Sequence, residues 1–229
     1  MHRCLFIGIL LSLITLASLE PLGSQTIDSL AFKDLQFRMA GPFRGGRSSA
    51  VTGFPADLDR WLMGTTGGGV WETTDNGISW HNISDGFFGG SIGAVRVADS
   101  DPNVIYVGQG SVDIRGNTST GRGMWKSMDA GRTWTFIGLP EAGQIGRIEV
   151  HPTNHNLVYV AALGHPFGKN PERGIFRSED GGETWEHVLA LNDSTGASDL
   201  TMDMVNPRIL YAGMWRGERK PWTLISGAE

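Results

Sequence analysis

Three aspartates, Asp75, Asp129 and Asp180, recur 54 and 51 residues apart in closely similar surroundings. Carboxylates set in pairs across a glycosidic bond act as acid, base or nucleophile, so these are the first candidates for catalysis. Each is followed two places on by a glycine (Gly77, Gly131, Gly182) and five places on by a tryptophan (Trp80, Trp134, Trp185). An aspartate that accepts hydrogen bonds from turn amides, beside a glycine that supplies left-handed backbone, explains both the residue types and the spacing. The three aspartates are therefore structural, and no catalytic residue is assigned.

Other chemistry is sparser. His151 and His155 have the spacing of a helical zinc pair, but Pro152 and the repeat register put them in a turn, and no glutamate accompanies them. Gly164 to Asn170 has three residues between its glycines and no Ser/Thr after Lys169, which falls short of a phosphate loop. No metal or cofactor is expected. What remains is a set of polar and aromatic residues in long connections: Arg44, Arg47, Asp113, Arg115, His165, Arg173 and Trp215, with Arg216 and Trp222 close by. These are the candidate ligand-binding residues.

The elements that must position them follow from the repeat. Segments 69–80, 123–134 and 174–185 align without gaps as glycine, aliphatic, aromatic, charged, Ser/Thr, any, Asp, any, Gly, any, Ser/Thr, Trp. Val70-Trp71-Glu72, Met124-Trp125-Lys126 and Ile175-Phe176-Arg177 read as strands leading into the Asp turn, and each tryptophan opens the returning strand and is placed to wedge into the core. A turn-then-strand unit precedes each hairpin, with Trp61, Tyr106 and Tyr159 in its strand, and a further copy runs from Pro207 through Tyr211. Before these lie candidate inner strands at 49–53, 93–97, 146–150 and 200–204.

A period of this length suits one four-stranded β-propeller blade. The predicted fold is all-β, with blades at about 41–84, 91–138 and 143–190 and a partial fourth at 197–229. Three and a half blades do not close a ring, so the chain reads as a truncated piece of a longer propeller. If the Asp turns join third to fourth strands on one face, the connections between second and third strands lie on the other. Those connections are short at 65–68 and long at 109–122, 163–173 and from Met214 onward. Long loops gathered on one side of a rigid scaffold form its natural binding surface.

Composition bounds the setting. A basic start, an apolar run from Leu5 to Leu16 and then small residues read as a secretory signal over 1–24, followed by a lead-in at 25–40. The run is too short for a membrane span, so membrane contact is expected only through the export signal. Cys4 lies inside that signal, leaving the mature chain without cysteine. Net charge is −5, with no basic stripe to neutralise phosphates, so nucleic acid is not an expected partner. Thirty-three glycines and eight tryptophans fit many turns and regularly placed aromatics.

The three repeats resemble the Asp-box, or bacterial neuraminidase, repeat. Arg38-Met-Ala-Gly-Pro-Phe-Arg44-Gly-Gly-Arg47, Ala162-Leu-Gly-His-Pro166, Arg173-Gly-Ile-Phe, Met214-Trp-Arg and Lys220-Pro-Trp222 extend the likeness to bacterial sortilin-like propellers. That resemblance implies an exported, multi-bladed scaffold binding a protein, peptide or glycan, and leaves activity and oligomeric state open. Sialidases and xyloglucanases carry the same repeat, which makes a glycoside hydrolase the alternative. Here Phe43-Arg44 is followed by Gly45-Gly46, and no further sialidase arginine motif is readable. Thr66 stands where the xyloglucanase pattern places a catalytic aspartate. A second alternative is an assembly chaperone, similar to the photosystem assembly factor that uses this repeat.

Overall fold

The computed structural model describes residues 47–227; the expected signal, the lead-in and Arg44 lie outside the described residues. Fifteen strands and no helix occur among those described. Blade one is β1 (Ser48–Phe54), β2 (Asp57–Gly67), β3 (Val70–Thr73) and β4 (His81–Asn82). Blade two is β5 (Gly90–Ala98), β6 (Asp101–Gln109), β7 (Met124–Ser127) and β8 (Thr135–Phe136). Blade three is β9 (Ile145–His151), β10 (Asn154–Ala162), β11 (Gly174–Ser178) and β12 (Glu186–Leu189). The fourth has β13 (Thr195–Met202), β14 (Leu210–Lys220) and β15 (Thr223–Ser226). Within each blade sequential strands pair antiparallel. The first strands of successive blades lie side by side, β1 on β5, β5 on β9 and β9 on β13. This is an all-β partial propeller.

The cores lie between blades rather than within them, which accounts for the near-continuous apolar runs. On β6, Ile105 and Val107 enter the cluster shared with blade one, alongside Leu62, Ile92 and Phe88. Their neighbours Val104 and Tyr106 enter the cluster shared with blade three, alongside Ile145, Val158 and Phe176. A smaller cluster of Ala161, Ile175, Ala197 and Leu200 joins blades three and four. The fourth inner strand begins earlier than its apolar residues suggest. It starts at Thr195 and stops at Met202, because the Asp203 carboxylate caps the next turn through the amides of Val205 and Asn206.

The three Asp turns are built alike. In the second, Asp129 accepts from the Thr133 amide at 2.8 Å and its hydroxyl at 2.6 Å, while Ser127 donates to Asp129 and accepts from Gly131 N. Asp75 with Ser79 and Thr73, and Asp180 with Thr184 and Ser178, repeat the pattern. Gly77, Gly131 and Gly182 have positive φ, and so do the residues before them, Asn76, Ala130 and Gly181. The amides of that second set donate to carbonyls of Asp59, Asn103 and Asn156, each the third residue of its blade's second strand, just past the first-to-second-strand turn. The Asp turns and those turns therefore share one face of the propeller.

These carboxylates carry a pH signature. Hydroxyl and amide donors at Ser79 and Thr133, followed by Thr73 and Ser127, hold Asp75 and Asp129 down to about 2, and Asp180 is lowered by Thr184 and Ser178. A pKa below its unfolded value contributes stability that is whole above the unfolded pKa and lost as pH falls through the folded one. The melting temperature is thus expected to drop between about pH 4 and about pH 2. Asp129→Asn should flatten part of that drop in a melting series across this range; an unchanged slope would refute the assignment.

Candidate functional site

The face opposite the Asp turns holds two adjoining depressions. One is a cleft of about 490 Å³ lined by Val112, Asp113, Ile114, Arg115, Ser198 and Trp215. The other is a narrow crevice running from Arg47 and Thr66 past Ser91 and Ser111 to Asp113 and Ser119. Asp113 lines both, so Arg47, Asp113, Arg115 and Trp215 share one surface across blades one, two and four. Arg47, Asp113 and Arg115 are exposed and Trp215 is half-buried, its indole N–H donating to Ser226 Oγ at 2.9 Å.

The sequence folds this way because buried polar groups hold the loops. Gln144, fully buried at the entry to β9, accepts from Ser111 N and donates to Ser119 O at 3.1 Å, clamping both ends of the blade-two loop. Thr118 Oγ1 accepts from Arg115 N and donates to Arg115 O, closing the loop tip. Ile114 turns inward, 8% exposed, and an ideal Cβ on Gly217 would come within 2.9 Å of its Cδ1. The β14–β15 hairpin is tied to blade three by Arg219 N, which donates to Pro166 O at 2.6 Å.

Two candidates take a different place. Arg173, expected on the loop surface, is 1% exposed and donates through Nη2 to the carbonyls of His165, Gly168 and Gly217. Burial lowers its pKa from the ordinary guanidinium value, and the charges of Glu218 and Asp193 oppose this. Buried beneath the loop, it fastens blade three to blade four. His165 is half-buried and lines neither depression; its carbonyl is taken by Arg173 and Asn170. Thr66, Ser91, Ser111, Thr118, Ser119 and Ser198 border the site without any distinguishing signal in sequence beyond lying near loop ends.

A further cleft of about 610 Å³ opens on the Asp-turn face, between blades one and two. Its floor is Glu72, 7% exposed, paired with Arg60 at 2.5 Å and with His81 Nε2 at 2.8 Å. Arg60 also donates to Ala130 O at 3.0 Å and lies 3.9 Å over the Phe54 ring. That cation is spent on joining two blades. No group of three or more metal-ligating side chains occurs among the described residues.

Comparison with known proteins bears on the fold and the family. A xyloglucanase of Hypocrea jecorina (strain QM6a) is 29% identical over 130 residues, 52% of this chain and 14% of that protein. The vacuolar protein sorting/targeting protein 10 of Pyricularia oryzae (strain 70-15) is 32% identical over 92 residues, 39% of this chain and 6% of that protein. The crystal structure of an ancestral GH74 enzyme matches with a TM-score of 0.60 at 21% identity, covering 76% of this chain and 22% of that one, which is a likeness of fold. The chain spans less than a quarter of the length of each. The Sortilin-Vps10 family model (sortilin, neurotensin receptor 3) matches residues 68–211, well over half of the sequence. With its inter-blade cores and repeated Asp turns, the chain belongs to the Sortilin-Vps10 family.

Proposed function

We propose that this chain is part of an exported scaffold that binds a protein or peptide on the face opposite the Asp turns. The observation that carries the reading is the cleft where Trp215, Asp113 and Arg115 converge from two different blades. An indole with apolar neighbours and both signs of charge suits a peptide segment, which offers backbone groups, apolar side chains and charges together. Because Gln144, Ile114 and Arg173 already order the loops, little conformational entropy is left to lose on binding. The signal-like start supports export.

A glycan is the second reading, favoured by the 29% identity to a xyloglucanase. Hydrolysis asks for two facing carboxylates. Asp113 is the one carboxylate lining the two depressions, and Thr66 borders the crevice at the position noted for an aspartate.

The test is a selection of peptides from a random display library on the full chain, with xyloglucan oligosaccharides assayed in parallel for binding and cleavage. Trp215→Ala is expected to weaken a selected peptide about 10- to 30-fold, typical of a central aromatic anchor. Peptides whose affinity is indifferent to Trp215→Ala would sink the reading, and release of reducing sugar would replace it with the hydrolase.

A further inference from the structure

Only one asparagine of the sequence is directly followed by glycine, and that pair, Asn76-Gly77, lies in the first Asp turn. Every other asparagine precedes a residue with a side chain. The matching positions of the second and third turns hold Ala130-Gly131 and Gly181-Gly182, so blade one alone carries a side-chain amide there. Asparagine suits the place because it tolerates the left-handed backbone of the turn, with φ 56° at Asn76 and 90° at Gly77.

The carboxamide carbon of an asparagine is electrophilic, and attack by the next backbone nitrogen closes a five-membered succinimide ring. A side chain on the following residue crowds that closure. Gly77 has none, and an ideal Cβ there would meet nothing nearer than the Trp80 ring at 3.9 Å. Asn76, Gly77 and Ile78 are all exposed, and the Asn76 carboxamide makes no hydrogen bond among the described residues. The restraint lies on the nucleophile. Gly77 N donates to Thr73 Oγ1 at 2.9 Å, and Thr73, 1% exposed, is itself fixed by donating to Asp75 Oδ1 at 2.7 Å. Asn76 N is held as well, by Asp59 O at 2.9 Å. Local opening of this turn therefore sets how often the nitrogen is free to attack.

We propose that Asn76 is a site of spontaneous deamidation, gated by the hydroxyl of Thr73. Gly77 N gives its proton to hydroxide and bonds to Asn76 Cγ, and the bond from Cγ to the side-chain nitrogen breaks. That nitrogen takes a proton from water and leaves as ammonia. Water then opens the succinimide at either carbonyl, giving aspartate or isoaspartate, with no change of oxidation state. Isoaspartate routes the main chain through Cβ and Cγ, which lengthens it by one carbon between Asn76 and Gly77. Gly77 N and Ser79 N then lose their register with Thr73 and Asp75, the bonds that define the turn. Blade one loosens at its Asp turn while blades two and three, with no amide at this position, do not. The site is on the face opposite the loop-face cleft, and neither reading depends on the other.

The full chain is incubated in neutral and in mildly alkaline buffer, and Asn76 is followed by peptide mapping with mass spectrometry, isoaspartate being read by enzymatic methylation. Asn76 is expected to convert to aspartate and isoaspartate, faster in alkali, ahead of every other asparagine. Thr73→Val should speed conversion about five- to tenfold, the factor by which losing one hydrogen bond shifts a local equilibrium, with amide exchange quickened only across 73–80. Thr73→Ser, the residue of the other two turns, should keep the parental rate. Asn76→Gly, which copies the third turn, should abolish isoaspartate in this peptide. An intact Asn76 amide in the parent and in Thr73→Val alike would overturn the proposal, as would earlier loss of the amide at another asparagine. So would a Thr73→Val rate equal to the parental one, or exchange quickened throughout the chain, since global unfolding and not the Thr73 hydroxyl would then set the rate.

Discussion

Trp134→Ala is expected to lower the unfolding free energy by about 3–5 kcal/mol, the range for emptying a buried aromatic site. Trp80→Ala, at the same position of its repeat, should cost about 1 kcal/mol or less. The difference lies in what each indole meets. Trp134 is 6% exposed, stands edge-on to Phe88 at 5.4 Å and donates from Nε1 to Ile83 O of the preceding blade at 2.9 Å. Phe88 in turn stacks on Trp125 at 4.8 Å, so the cavity would open in the middle of an aromatic cluster. Removal also leaves the Ile83 carbonyl without this donor. Trp185 repeats the contact through Ile137 O at 2.7 Å. Trp80 instead donates to Gly77 O in its own turn. Urea unfolding of the two variants, followed by circular dichroism, checks the contrast. Equal losses would mean that the repeat tryptophan serves its own hairpin and not the junction between blades.

That contrast also marks how far sequence reasoning reaches here. The pattern around Asp75, Asp129 and Asp180 is local, so the turn, the hairpin and the repeating strands were legible from it. The opposed faces followed from strand order, which is why Asp113, Arg115 and Trp215 were expected on one side and do line one cleft. Burial is a property of neighbours, and Trp80 and Trp134 have the same sequence signature with different neighbours. The Arg60–Glu72–His81 cluster was invisible for a related reason. Glu72 faces Leu62 on one strand and His81 on the other, and Arg60 reaches it only once that register is set. Loop direction was the hardest feature to read. An arginine before a glycine at the end of a polar loop looks solvated, and only the approach of blade four puts Gly217 O against Arg173.

Arg173→Leu is the second large effect, expected at about 2–4 kcal/mol of lost stability. Two terms oppose each other. Leucine removes a buried cation whose Nε and Nη1 have no hydrogen-bond partner among the described residues, which favours the variant. It also removes the donor to three carbonyls, and stranding buried acceptors costs about 1–3 kcal/mol each. His165 O and Gly168 O keep a donor in Asn170 Nδ2, at 3.0 and 3.1 Å. Gly217 O loses the only cross-blade donor described for it, one of two ties that moor the β14–β15 hairpin, the other being Arg219 N to Pro166 O. The loss should therefore concentrate at the junction of blades three and four, and the cleft should weaken with it because Trp215 stands on β14. Hydrogen exchange should quicken across 217–226 while blades one and two keep their protection. Arg173→Lys should restore less than half of the stability, since one ammonium does not span three carbonyls on two blades. An Arg173→Leu chain with the parental unfolding midpoint and unchanged exchange at 217–226 would show that the guanidinium holds nothing in place.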